Sequence, residues 1–573
     1  MLAISHLLVF SSLRAQDTLI MTEYPKFDRA DSLLGFPFPE RTCYDVHYYN
    51  LDIVPNTDDK TLKGAVDIHF TALEKFRTMQ IDLYPELKIH SITFNGDLLE
   101  YEREHTAVFV HFPRKIKKGS NNYISVAYSG KPIEAADAPW DGGVVWQTDS
   151  TGHPWVGVTV QQEGGSLWWP CKDLISDKAD SALIQITTAG YLNGVANGTL
   201  VDEVPLNDSV KYVWKVTYPI VNYNITFYIG RFAHFSIDYG EKYGSELEKL
   251  DFYVLHQDYH YARLHFLQTP DVVHFCEKMF GPYPFPRDGY KLVESPYEGM
   301  EHQTAIAYGS AFEEYWDGYD YIILHETAHE WWGNAVTATD FADIWLHEGF
   351  ATYAEYLFYY ENTSVSSALN YIVYDQGNIN NVKPVIGPSG VRFWDCNDSD
   401  VYNKAGSFLQ TLQNQFDNKE DFMQLMQRFF ANYKYGNVTT TDFESHFKPQ
   451  LSYLTPLIDT YLKTAEAPEL LVDQIRTHID SVTQFMRFRN VTDGFKLKIN
   501  HDLYDGTTTR YLISDDYDMY MKYVPLDEYT LWYLDFYGSY YDVEVRDIAP
   551  WQVESINRGI KLRKMGPKET EGD

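Results

Sequence analysis

The stretch "YIILHETAHEWWGNAVTATDFADIWLHEGFATYAEYLF", residues 321–358, sets three histidines and four glutamates in otherwise apolar and aromatic surroundings. Apolar helices exclude such groups unless they are paired or hold a metal. His325 and His329 are four apart, so on a helix their rings stand over one another on one face. Two imidazoles at that spacing bind one zinc ion, and Glu326 between them reaches water at the metal. Catalytic zinc needs three protein ligands and one open position. Glu348, eighteen intervening residues after His329 on a second helical segment, supplies the third. Its neighbour His347 points about 100° away on a helix, so only one of the two faces the metal. The expectation is one Zn2+ per chain on His325, His329 and Glu348, with Glu326 as general base of a hydrolase.

Outward from this stretch, apolar residues keep helical spacing from about residue 255 to Thr464, as in "DVVHFCEKMF", "KAGSFLQTLQNQF" and "FMQLMQRFFANY". Upstream, from about 40 to 235, segments such as "YDVHYYNLDIVP" and "GAVDIHFTAL" alternate or run β-branched between Gly, Pro and Asn turns. Past the proline-bearing "TAEAPEL", alternation returns in "GFKLKIN", "TTTRYLI" and "YTLWYLDFYG". These rhythms predict an α+β multidomain chain. Its expected parts are a signal peptide at 1–15, an antiparallel β-sandwich-like domain at 16–240, a mostly helical zinc domain at 241–465, a small β-sandwich at 466–555 and a charged tail at 556–573.

HETAH, eighteen residues and then "HEGFATY" resembles the gluzincin aminopeptidases, the family of aminopeptidase N and leukotriene hydrolase. The family's G-[AG]-M-E-N signature has its counterpart in Glu298-Gly299-Met300-Glu301-His302, with Glu298 and His302 departing from it. Its Y-x-K-G signature is matched by Tyr402 and Lys404, with Ala405 where Gly is usual, and His347 stands where Asn is usual. The resemblance spans roughly residues 40 to 465. It implies a thermolysin-like catalytic domain without the long C-terminal helical-repeat domain of many relatives. It also implies that Tyr402 donates a hydrogen bond to the oxyanion, that Glu301 binds the substrate's free α-ammonium, and that Gly299 and Met300 run along the substrate. In "VQQEGGSLWWPCKD", which looks like the family's substrate-facing loop, counting back from Asp173 puts Gln161 at the position where relatives use Gln or Glu, with Gln162 the alternative one residue on. Either Glu330 or Glu355 could orient a ligand histidine.

The resemblance implies a zinc aminopeptidase acting on peptides with a free N-terminus. The same motifs also serve an epoxide hydrolase of the leukotriene-hydrolase type. A non-catalytic β-sandwich binding protein is the third reading, and the intact HExxH stands against it. A formal charge of −34 repels phosphate backbones and anionic membranes, which excludes nucleic acid as a partner. No run outside the N-terminus approaches the ~18 apolar residues of a membrane span. "MLAISHLLVFSSLRA" reads as a secretory signal ending at Ala15, so export is expected. Cys43, Cys171, Cys276 and Cys396 form no CxxC pair, which excludes a zinc ribbon and permits up to two disulfides. Sequons stand at Asn197, Asn207, Asn224, Asn362, Asn397, Asn437 and Asn490. Nothing in the sequence sets the oligomeric state.

Overall fold

The computed structural model describes residues 27–392, 399–478, 481–502, 508–516, 518–520 and 538–547. The expected signal segment, the charged tail, Cys396 and most of "YTLWYLDFYG" lie outside them. The chain is a multidomain α+β protein with a β-rich N-terminal region and a helical region that carries the HExxH motif.

In the N-terminal region an eight-stranded sheet packs with three- and four-stranded sheets. Its central strand, Tyr44–Asn56, buries alternate residues such as Leu51 and Ile53, as a half-buried strand must. That strand pairs antiparallel with Thr61–Ala72 but parallel with Ser181–Ala189. The expectation of a purely antiparallel region is therefore corrected. Parallel neighbours need a long crossover, and the intervening chain supplies one.

The helical region is built on a sheet that its periodicity did not announce. Five strands lie in the order Phe232–Asp238, Lys249–Leu255, Tyr290–Glu294, Ile306–Tyr308, Gly299–Met300. The last is a two-residue edge strand that, among the described residues, pairs only with Ile306–Tyr308. Asp320 ties this sheet to the histidine helix, Tyr321–Ala328. Its carboxylate caps the helix at the Ile322 N–H (3.0 Å) and accepts from Tyr308 (2.7 Å).

The glutamate helix, Trp345–Asn362, is buried on all sides from Trp345 to Tyr359, which marks it as a core helix. Trp332, just past the histidine helix, packs at a tilt on Phe350 (4.5 Å between centroids) and edge-on against Phe280, locking the two helices together. Gly333 makes the turn between them at φ +118°, where a Cβ would press on His329 and His347.

Beyond residue 465 the described strands include a four-stranded and a two-stranded sheet. Lys496–Asp502 pairs with Thr508–Ser514 as alternation predicts, whereas Glu469–His478 and Ser481–Arg489 went unread. Cys43, Cys171 and Cys276 are free and buried. Asn197 and Asn224 are fully buried, so two of the seven sequons cannot take a glycan in the folded chain.

The glutamate helix meets the helix Asn403–Gln413 with almost no gap. A Cβ at Gly349 would stand 2.5 Å from the Ala405 Cβ. Gly349→Ala should therefore cost about 1–3 kcal/mol of overpacking, outweighing its helix-propensity gain of roughly 1 kcal/mol. Ala405→Gly in the same chain should recover most of the loss. Urea midpoints of the single and double variants check this.

Candidate metal centre and substrate cleft

Side chains from the two helices converge at the floor of a cleft of about 800 Å³. His325 and His329 bring their Nε2 atoms to 3.1 Å from one another and to 3.5 and 3.2 Å from Glu348 Oε2. Zinc bonds of about 2.0–2.1 Å at tetrahedral angles set donor atoms roughly 3.3 Å apart. The remaining nitrogens are already engaged: His325 Nδ1 with Glu355 Oε1 at 2.7 Å, and His329 Nδ1 with the Trp332 carbonyl at 2.8 Å. Each bond fixes the tautomer that leaves Nε2 bare for a metal. The donor set fits zinc.

Glu355, not Glu330, is the carboxylate behind His325. It sits seven residues after Glu348, two turns on along the same helix face, and Tyr371 holds its other oxygen. Glu330 faces away, accepting from the Thr304 N–H (2.7 Å) and Tyr283 (3.1 Å). His347 and His302, both departures from the family signatures, are fully buried, and desolvation pushes each down to about 3, so both stay neutral. His347 Nε2 accepts the Ala338 N–H at 2.8 Å. His302 Nδ1 bonds Tyr228 at 2.7 Å, behind the edge strand.

Glu326 lines the cleft next to the metal ligands. Burial pushes it up to about 8; His325 and His329 pull it down, while Glu301 and Glu348 push it further up. A dication would reverse that balance and restore the carboxylate. A Cβ on Gly299 would come within 2.6 Å of Glu326 Oε1, so glycine is what lets the edge strand pass so close. Met300 lines the same wall.

Glu301 is buried beside the ligands. Gln161 Nε2 donates to both Glu301 Oε1 (2.7 Å) and Glu348 Oε1 (2.5 Å), so Gln161 rather than Gln162 makes this contact. Arg392 holds the glutamine loop in place: its guanidinium donates to the Gln161 and Gln162 carbonyls (2.7 and 2.6 Å) and to Asp173 Oδ1 (2.6 Å). Nothing in the sequence marked Arg392, which lies more than two hundred residues from its partners. Tyr402 faces the cleft at the start of its helix, its ring 6.0 Å from His325 and 6.4 Å from Trp140. Burial and then the charge of Glu348 hold its pKa well above 10, so its hydroxyl keeps its proton and can donate.

Facing helices, an HExxH pair and a glutamate that completes three converging donors define a zinc metallohydrolase site. Residues 268–461 match the Peptidase family M1 domain. Rat (Rattus norvegicus) aminopeptidase B is 25% identical over 323 residues, covering 52% of this chain and 47% of the rat protein. Chicken (Gallus gallus) aminopeptidase Ey is 27% identical over 209 residues, covering 32% of this chain and 21% of its own length. The chain thus spans about half the length, or less, of these relatives. An M1 zinc metallopeptidase mutant from Deinococcus radiodurans, bound to a Tyr-Ser-Ala substrate, shares the fold at TM-score 0.64 and 20% identity, over 76% of this chain and 98% of that one. Its residues 268–461 are thus similar to the domain of the M1 zinc peptidases, the family that the HExxH and Glu348 spacing resembles.

Two outcomes follow for the metal. Glu355→Gln should weaken zinc binding by about 10–100-fold without removing a ligand. In the metal-free chain burial pulls His329 down, but Glu348 outweighs it and holds the imidazolium up to about 9. Zinc must displace that proton, so its affinity should weaken steadily as pH falls below about 9. Competition with a chromophoric chelator measures both.

Proposed function

We propose that this chain is a zinc aminopeptidase that removes single residues from the free N-termini of peptides. One observation carries the reading. A single amide nitrogen, Gln161 Nε2, bonds both Glu301 and the metal ligand Glu348. The oxygens suited to an α-ammonium thus stand within one residue's length of the metal. An ammonium brought out of water needs such a carboxylate to offset its desolvation. Sites that accept internal peptide bonds have no use for a buried anion there.

When bound, zinc supplies the Lewis acidity that polarises the scissile carbonyl and brings the pKa of water toward about 7. Glu326 takes the proton of the attacking water and passes it to the leaving amine. Tyr402 donates its hydroxyl hydrogen to the oxyanion that develops on the carbonyl oxygen. Glu301, with Gln161 beside it, holds the ammonium and fixes which bond is cut. The backbone of Gly299 and Met300 aligns the substrate close to Glu326.

The division into an N-terminal β domain (16–240), a thermolysin-like catalytic domain (241–465) and a small C-terminal β-sandwich (466–555) belongs to the same proposal, as does export directed by residues 1–15. Among the described residues no helix is long and apolar enough to cross a membrane.

The test pairs free and N-acetylated peptides of one sequence on the zinc-loaded chain. Free peptide should be cleaved and acetylated peptide should not; comparable rates on both would make the enzyme an endopeptidase and Glu301 an ordinary buried residue. Glu326→Gln should keep zinc, since it removes no ligand, yet lose most turnover, while Glu348→Ala should lose both. Tyr402→Phe should leave KM nearly unchanged and lower kcat by about 100-fold or more. Glu301→Ala should raise KM and lower kcat, and Gln161→Ala should do so more mildly, since a neutral amide contributes no net charge.

A further inference from the structure

We infer that Glu298 selects peptides with a lysine or arginine at their third residue, an inference that rests on the aminopeptidase reading above. The direction of the substrate follows from the edge strand. Among the described residues Gly299–Met300 pairs with Ile306–Tyr308 on one side only, which leaves its other edge for a peptide main chain to pair with. The peptide's ammonium sits at Glu301, the far end of this segment. Its chain must then run back past Met300 and Gly299 toward Glu298, antiparallel to the strand. Gly299 abuts Glu326, so the scissile bond lies opposite it. Three residues of extended chain span roughly 10 Å. Glu298 therefore stands beside the third residue of the substrate, past the bond that is cut.

What lies there is a built continuation of the cleft. Glu298, Tyr315 and Tyr321 line both the metal cleft and an adjoining groove of about 490 Å³. The hydroxyl of Tyr321, first residue of the histidine helix, donates to Glu298 Oε1 and holds its carboxylate at this junction. Trp155, Tyr297 and Tyr315 give the groove aromatic walls, Glu313 and Glu314 line it further out in sequence, and among the described residues no lysine, arginine or histidine does. A carboxylate fixed among aromatic faces suits a guanidinium or ammonium, through a charge-assisted hydrogen bond and contact with the ring faces. The family signature has glycine at this position, which leaves nothing to grip a side chain. The glutamate is a feature of this chain.

The experiment uses the zinc-loaded full chain with Ala-Ala-Lys, Ala-Lys-Ala, Ala-Ala-Ala and Ala-Ala-Glu, beside an alanyl fluorogenic amide that has no residue past the scissile bond. Ala-Ala-Lys should exceed Ala-Ala-Ala in kcat/KM by about 2–5-fold and Ala-Ala-Glu by more, the magnitude of one partly exposed ion pair. Glu298→Gln should erase that ranking. Because the chain is strongly acidic, some preference for cations could come from its overall field. A ranking that survives in Glu298→Gln would overturn the assignment, as would equal rates across the series. A preference for lysine at the second position alone would overturn the strand register. Failure of the alanyl amide and of every free peptide would instead sink the aminopeptidase reading itself.

Discussion

Four carboxylates, Glu301, Glu326, Glu348 and Glu355, are buried around the two imidazoles of His325 and His329, and among the described residues no lysine or arginine lines their cleft. That imbalance of charge is what the rest of the site depends on. Burying one uncompensated carboxylate is costly, and burying four together is untenable without cations. In the metal-free chain burial pulls both imidazoles down but the neighbouring carboxylates outweigh it and push them up, while burial pushes Glu326 up to about 8. A dication at the three converging donors and an ammonium at Glu301 would answer the imbalance more completely. Metal and substrate terminus are, on this view, the two positive charges for which the cleft is shaped.

Holding those charges in register falls to groups that do no chemistry. The helices that carry the ligands are fixed by Trp332 against Phe350 and by the close approach of Gly349 to Ala405. Ala405 stands where the family signature has glycine, and the compensating glycine lies across the contact, on the partner helix. Lys404 of the same signature donates to the carbonyls of Thr464 and Glu466, where the helical region gives way to the C-terminal strands. Arg392 fastens the Gln161 loop from a third part of the chain. Its planar guanidinium reaches two carbonyls and Asp173 at once, each from a different nitrogen of the rigid fork.

How much of this the sequence disclosed depended on how local the determinant was. The four-residue step from His325 to His329 is a helical period, readable without a structure, and the fixed offset to Glu348 extended it to a second helix. Gln161 was reachable by counting from Asp173 along one loop. Glu355 was visible only as one of two nearby glutamates, because the choice between it and Glu330 is made by how two helices cross. The strands Tyr290–Glu294, Gly299–Met300 and Ile306–Tyr308 are five, two and three residues long, too short for alternation to register, yet they carry the edge that lines the cleft. Arg392 and the parallel pairing of Tyr44–Asn56 with Ser181–Ala189 join segments more than a hundred residues apart, beyond what local patterning can encode.

The central claim is that the charge left over in this cleft counts residues from a free N-terminus. The most direct measurement is a mass-spectrometric time course on one unblocked peptide of about ten residues, incubated with the zinc-loaded chain and with the chelated chain. The account predicts a ladder of products, each shorter than the last by one N-terminal residue, and an intact peptide in the chelated sample. Internal fragments arising early, or the same ladder without metal, would contradict it.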